Sequence, residues 1–126
     1  MSSILIVDDE QSICQHIREL LIGFGYEAGY IHNPEILFQR LEKNPVDLIL
    51  MDIYMPGIDG LALLRQLHSH SLYRSIPVIM LTKETNQTVL AESLAYGAVD
   101  FLNKPIQQLI LKARIRNALT VKAEQD

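Results

Sequence analysis

The chain has 126 residues, 48% of them hydrophobic, enough for one globular domain with a sizeable core and too few for two. Fifteen acidic residues against eleven basic ones give a net charge of −4, and no dense Lys/Arg cluster marks a nucleic-acid face, so direct nucleic-acid binding is not expected. The start lacks the basic segment and cleavage site of a signal peptide, no apolar run reaches membrane-spanning length, and one cysteine precludes an intrachain disulfide, so a cytoplasmic protein is expected.

Residues 4–7 are an apolar run ending at Asp8 and Asp9, which predicts a buried strand with two carboxylates at its C-terminal end. Over residues 11–24, Ile13, Ile17, Leu20, Leu21 and Phe24 recur at steps of three and four, giving a helix with one core-facing stripe, closed by Gly23 and Gly25. Cys14 falls on that stripe and reads as a buried structural thiol. Residues 26–31 form a weaker strand. Asn33 and Pro34 then suit an N-cap and first helical position, and Ile36, Leu37 and Leu41 give the second helix its face. Asn44-Pro45 breaks it.

Residues 48–51 are Leu-Ile-Leu-Met, an unalternating run that predicts a strand covered on both faces, and Asp52 stands where it surfaces. A Met55-Pro56-Gly57 turn leads into a helix over residues 60–68 with Leu61, Leu64 and Leu67, then a polar loop over 69–75 that includes His70. Residues 76–81 form a fourth strand ending at Thr82, and 85–96 a helix through Val89, Leu90 and Leu94, closed by Gly97. A short strand over 99–103 runs into Lys104-Pro105, and residues 106–121 make the last helix. Its apolar residues exceed one stripe. Ile106, Leu109, Ile110 and Ala113 are assigned to the core, and Leu111, Ile115, Ala118 and Leu119 to an adjacent face that suits a homodimer or partner, the alternative being one broad stripe closing the sheet. The domain is taken as residues 1–120, with 121–126 a tail or the start of a linker to an output domain.

Five strand-then-helix repeats with short connections predict an α/β domain: a flavodoxin-like doubly wound five-stranded parallel sheet, order 2-1-3-4-5, flanked by five helices. In that order strands one and three adjoin at the switch point and bring Asp8, Asp9 and Asp52 together. An oxygen-only set of carboxylates suits Mg²⁺, and zinc is disfavoured because His16, His32, His68 and His70 show no ligand spacing joined to the site. A carboxylate nucleophile, a divalent cation, the Lys104 ammonium and the Thr82 hydroxyl are what phosphoryl transfer to Asp52 needs.

These residues in combination resemble the receiver domain of two-component response regulators: Asp8-Asp9, Asp52 followed by Met55-Pro56-Gly57 and Asp59-Gly60, Thr82, and Lys104-Pro105. The resemblance covers the whole chain. It implies that Asp52 is the phosphoacceptor, that Asp9, Asp52 and the backbone carbonyl of Tyr54 hold Mg²⁺ with Asp8 acting through a water, and that Thr82 and Lys104 contact phosphoryl oxygens. It also implies a cis Lys104-Pro105 bond and makes Phe101 the switch aromatic that follows Thr82, the other reading of Phe101 being a core aromatic. Its partners would be a sensor histidine kinase or phosphotransfer protein, and it would be a signalling phosphoprotein with only self-phosphorylation and autodephosphorylation chemistry. Lys83 departs from the small residue usual after the threonine, and Tyr54 and Glu84 lie where water attack is tuned. Two other readings are an unphosphorylated docking scaffold and a Mg²⁺-dependent aspartyl-nucleophile phosphatase; the latter wants an aspartate two residues after the nucleophile, where this chain has Tyr54.

Overall fold

The computed structural model describes residues 1–83 and 86–125, with side chains through residue 120. The element order is β1 (Ser3–Val7), α1 (Gln11–Gly23), β2 (Glu27–Ile31), a short 3-10 helix (Pro34–Ile36), α2 (Leu37–Lys43), β3 (Leu48–Asp52), the two-residue strands β4 (Tyr54–Met55) and β5 (Ile58–Asp59), α3 (Gly60–Ser69), β6 (Val78–Thr82), α4 (Gln87–Ala95), β7 (Asp100–Asn103) and α5 (Gln108–Gln125). The main sheet is parallel throughout in the order β2-β1-β3-β6-β7. Among its five strands this is the expected flavodoxin-like order, with the small β4-β5 hairpin as an addition.

Alternation along the strands divides the core in two. Ile4, Ile6, Leu48, Leu50, Ile79, Leu81 and Leu102 face α1 and α5. Leu5, Val7, Ile49, Met51, Val78 and Met80 face the other way, onto Leu37 and Leu41 of α2 and Leu63, Leu64 and Leu67 of α3. Both faces of the central strands are therefore dry, which is why their sequence runs apolar without alternation. Cys14 is fully buried on the α1 side, and burial, followed by the Asp8 carboxylate, pushes its thiol up to about 12. No helix among the described residues is long and apolar enough to cross a membrane.

Three assignments of helix faces are corrected. On α5 the buried residues are Leu111, Ile115 and Ala118, while Leu109 is 80% and Ile110 41% exposed and Ala113 also faces water. The stripe expected to meet a partner is thus core, and the one expected in the core, Ile106 excepted, faces outward; Ile106 is partly buried. The start of α5 at Gln108 sets the phase, and Leu111, Ile115 and Ala118 then share one side at steps of four and three. On the 3-10 helix Ile36 points outward, because that tighter turn shifts it off the face of Leu37 and Leu41. On α4 the fully buried residue is Ser93, its hydroxyl satisfied by the Leu90 carbonyl at 2.7 Å, and Leu94 is exposed.

Glu84, Thr85 (the expected start of the fourth helix) and Asp126 lie outside the described residues, as do the side chains beyond Thr120. Asn86 caps α4 through Thr88 N, and α5 continues through most of the expected tail to Gln125. In the expected polar loop, the ring of His70 lies 4.5 Å from that of Tyr73 and stacks on Phe38.

The α5 assignment is tested by urea unfolding. Leu111→Ala is expected to lose about 2–5 kcal/mol through the cavity it leaves, and Leu109→Ala no more than about 0.5 kcal/mol. Comparable losses at both positions would contradict the observed phase.

Candidate functional site

Val7 of β1 pairs with Met51 of β3, so the residues that follow each, Asp8 and Asp52, emerge side by side at the C-terminal edge of the sheet. One carboxylate oxygen each of Asp8, Asp9 and Asp52 lies within 4.8 Å of the others. Asp8 is fully buried, Asp52 nearly so, and Asp9 faces solvent. The backbone holds the two buried carboxylates: Asp8 Oδ1 accepts from Glu10 N at 2.9 Å, and Asp52 Oδ1 from Tyr54 N at 3.4 Å.

Lys104 enters from the end of β7, where its backbone N–H donates to the Thr82 carbonyl at 2.8 Å. Its ammonium lies 2.8 Å from Asp8 Oδ2, 3.3 Å from Asp52 Oδ2 and 3.8 Å from Glu10 Oε1. Burial pulls the lysine's pKa down, but the hydrogen bond and charge of Asp8, then those of Asp52, outweigh it and hold the ammonium above its ordinary value. Asp52 is shifted the other way from a paired acid. Burial pushes its pKa up, Lys104 opposes, the Asp8 charge adds to the rise, and the net is above the usual carboxylate range.

Gly60 sets the floor of the site. Its amide donates to Ile53 O at 2.7 Å, and a Cβ there would meet the Asp52 carbonyl and, at 2.6 Å, the Ile53 carbonyl. No side chain fits between the start of α3 and the end of β3. Gly57, at φ +80, makes the turn between β4 and β5 that leads the chain to the Asp59 cap of α3, whose carboxylate accepts from Leu61 N at 2.9 Å.

Of the residues expected from sequence, Asp8, Asp9, Asp52 and Lys104 come together directly. Thr82 is buried as the last residue of β6, and Tyr54 is half exposed beside Asp52. Phe101 is partly buried and packs against the α2–α3 core, so its core contact is observed. Lys83 is exposed, on an open groove it shares with Ile13, His16, Lys104 and Pro105. The Lys104-Pro105 bond is cis. Sequence reasoning missed Glu10, whose position directly after the paired aspartates is its only signal. It also missed His32, whose ring Nδ1 lies 3.2 Å from the Asp8 carbonyl oxygen, a contact no ligand spacing could reveal.

Three carboxylates against one ammonium leave excess negative charge, and every donor is oxygen. That set fits a hard divalent cation such as Mg²⁺ and is poor for zinc. A carboxylate that is partly desolvated, flanked by an ammonium and reachable from solvent has the chemistry to act as a nucleophile.

The chain matches the family model of the response regulator receiver domain over residues 4–116. It is 34% identical over 126 residues to the sensory transduction protein RegX3 of Mycolicibacterium smegmatis, a match that covers all of this chain and 54% of RegX3. The chain therefore spans about half the length of that relative. Among solved structures it resembles a putative response regulator from Chloroflexus aurantiacus, with TM-score 0.89 and 32% identity over 94% of this chain and 98% of that one. The chemotaxis protein CheY4 of Vibrio cholerae matches with TM-score 0.87 and 30% identity, over 94% of this chain and 98% of that one. Sheet order, strand-end aspartates, the lysine before a cis proline and these matches agree: the chain belongs to the receiver domain family of two-component response regulators.

Proposed function

We propose that Asp52 accepts a phosphoryl group from a phosphohistidine of a sensor histidine kinase or phosphotransfer protein, and that the resulting change of charge alters a partner-binding surface. The observation that carries this reading is the Lys104 ammonium set between Asp8 and Asp52, at 2.8 and 3.3 Å, inside a three-carboxylate cluster. A carboxylate oxygen of Asp52 attacks phosphorus, the P–N bond breaks, its electron pair leaves with the imidazole nitrogen, and that ring takes its proton from water. The product is an acyl phosphate.

Asp8, Asp9 and Asp52 with the Tyr54 carbonyl would hold Mg²⁺, which when bound supplies positive charge to phosphoryl oxygens. Lys104 provides a second cation already desolvated and aimed at Asp52. Thr82 provides a hydroxyl at the end of the adjoining strand. An acyl phosphate carries about two negative charges where the carboxylate carried one, so Lys104 and Thr82 gain a stronger partner. Phe101, on the strand beside β6, is the aromatic whose packing would follow Thr82. The outward face of α5, Leu109, Ile110 and Ala113, is the surface of that helix left for a partner or a second copy. We take residues 1–120 as the receiver domain, acting in the cytoplasm.

Incubation with acetyl phosphate and Mg²⁺ is expected to add one phosphoryl mass to the intact protein by mass spectrometry, and Asp52→Asn to abolish it. Absence of the adduct in a folded, Mg²⁺-supplied wild type would favour the docking-scaffold reading.

The raised Asp52 pKa gives a second test. The folded protein binds this proton more tightly than the unfolded chain, so ionised Asp52 costs stability. That cost appears as pH rises through the unfolded carboxylate value and is complete above the folded one. Asp52→Asn is therefore expected to raise the thermal midpoint by a few degrees at pH 7, with the gain shrinking on acidification. A midpoint that falls at pH 7 would mean that Lys104 pairing outweighs desolvation.

A further inference from the structure

Behind the carboxylate cluster lies a polar contact that the phosphoryl chemistry does not use. The amide of Asp8 donates to Ile31 O at 3.2 Å, but the Asp8 carbonyl stands just past the last residue that β1 pairs with β2 and β3. Two side chains meet it. Cys14 Sγ, from the first turn of α1, donates to it at 3.3 Å, and His32 Nδ1, one residue beyond β2, lies 3.2 Å from it. The thiol and ring nitrogen are 3.8 Å apart, so the three atoms form one cluster.

A carbonyl oxygen only accepts, so the 3.2 Å contact is a hydrogen bond when His32 carries a proton on Nδ1. The thiol is protonated for the reason already given, its burial. Tyr30 lies against the imidazole, ring centroids 5.0 Å apart, and keeps the ring from swinging freely. The Asp8 carbonyl is thus gripped from α1 and from β2 at once.

That carbonyl belongs to the same rigid peptide plane as the amide of Asp9. Fixing it fixes where the Asp9 Cα stands and leaves one backbone rotation, about N–Cα, to set the direction of the Asp9 side chain. Among the described residues the Asp9 carboxylate makes no hydrogen bond or ion pair, unlike those of Asp8 and Asp52. Its place within 4.8 Å of the other two therefore depends on the backbone that carries it.

We propose that Cys14 and His32 are positioning residues that hold the Asp8–Asp9 peptide and so preorganise the Asp9 carboxylate for a divalent cation. This rests on the proposed reading of Asp8, Asp9 and Asp52 as the Mg²⁺ cluster. Outer partners that orient metal ligands are worth about 10–100-fold in metal affinity, and a partner acting through the backbone belongs at the low end of that range.

The test is Mg²⁺ titration by calorimetry of the whole chain, with thermal midpoints measured in parallel. His32→Phe keeps a ring against Tyr30 but removes the donor; His32→Asn returns an N–H close to the place of Nδ1. Cys14→Ala and Cys14→Ser form the second such pair. His32→Phe is expected to weaken Mg²⁺ binding about tenfold with its midpoint little changed, and His32→Asn to recover most of the loss. Wild-type affinity in His32→Phe, or equal losses in His32→Phe and His32→Asn, would overturn the proposal even if the Cys14 variants fail to fold. A wild type that binds no Mg²⁺, with Asp52→Asn indistinguishable from it, would sink the metal-site reading and this inference together.

Discussion

Everything at the C-terminal edge of the sheet depends on one buried cation. The Lys104 ammonium, its side chain 5% exposed, is held by Asp8 and Asp52, and those three residues come from the ends of β7, β1 and β3. Taking three charges from water is unfavourable, and a buried ion set is seldom the most stable choice for a core. Asp52 registers this directly, since its carboxyl is held above the usual range even with the ammonium 3.3 Å away. The arrangement makes sense as stored electrostatic potential: an ammonium kept desolvated beside a partly desolvated carboxylate favours any stronger anion formed at that position.

The rest of the fold keeps those strand ends in place. With both faces of β1, β3 and β6 apolar, a slip of one residue is opposed by the packing of two different helix pairs and by the polar strand ends, since it would draw Asp8 or Asp52 out of the cluster. Above the sheet the backbone takes over. The amides of Glu10 and Tyr54 each hold one oxygen of a buried carboxylate, and the Lys104 amide ties its loop to Thr82. Gly60 lets α3 start directly against the end of β3, a closeness that any side chain would prevent.

The architecture was readable because buried parallel strands and their polar ends leave unambiguous marks. Residues 48–51 and Asp52 give both a strand and its functional terminus, and Asp8-Asp9 and Lys104 do the same at their own strand ends. The face of α5 was not readable. Leu109, Ile110 and Ala113 make as good a stripe as Leu111, Ile115 and Ala118, and the choice between them is made by where the loop after Pro105 delivers the first turn. Ser93 was hidden for a related reason. A serine whose hydroxyl bonds the carbonyl three residues back is locally satisfied and can be buried, which composition alone does not reveal. His32 was invisible because its partner is a backbone oxygen twenty-four residues away.

The geometry also constrains how a signal could leave the site. Two routes start from Lys104. Its ammonium reaches Asp8, and through Asp8 the amide of Glu10 just before α1; its backbone reaches Thr82 and the end of β6. The Asp8 side is the stiffer of the two. Asp8 is fully buried, bonded through both carboxylate oxygens, and its carbonyl is gripped by Cys14 and His32. The β6 side leads instead to α4, whose one fully buried residue is a serine and whose Leu94 faces water. A helix with so little apolar area against the sheet is held by less burial energy than α1, which anchors Cys14, Ile17 and Leu21. An equal push at Lys104 would move the less anchored element further. On the proposed reading, the output of Asp52 chemistry therefore runs through Thr82 toward α4, while the α1 side stays fixed as the frame that holds the carboxylates.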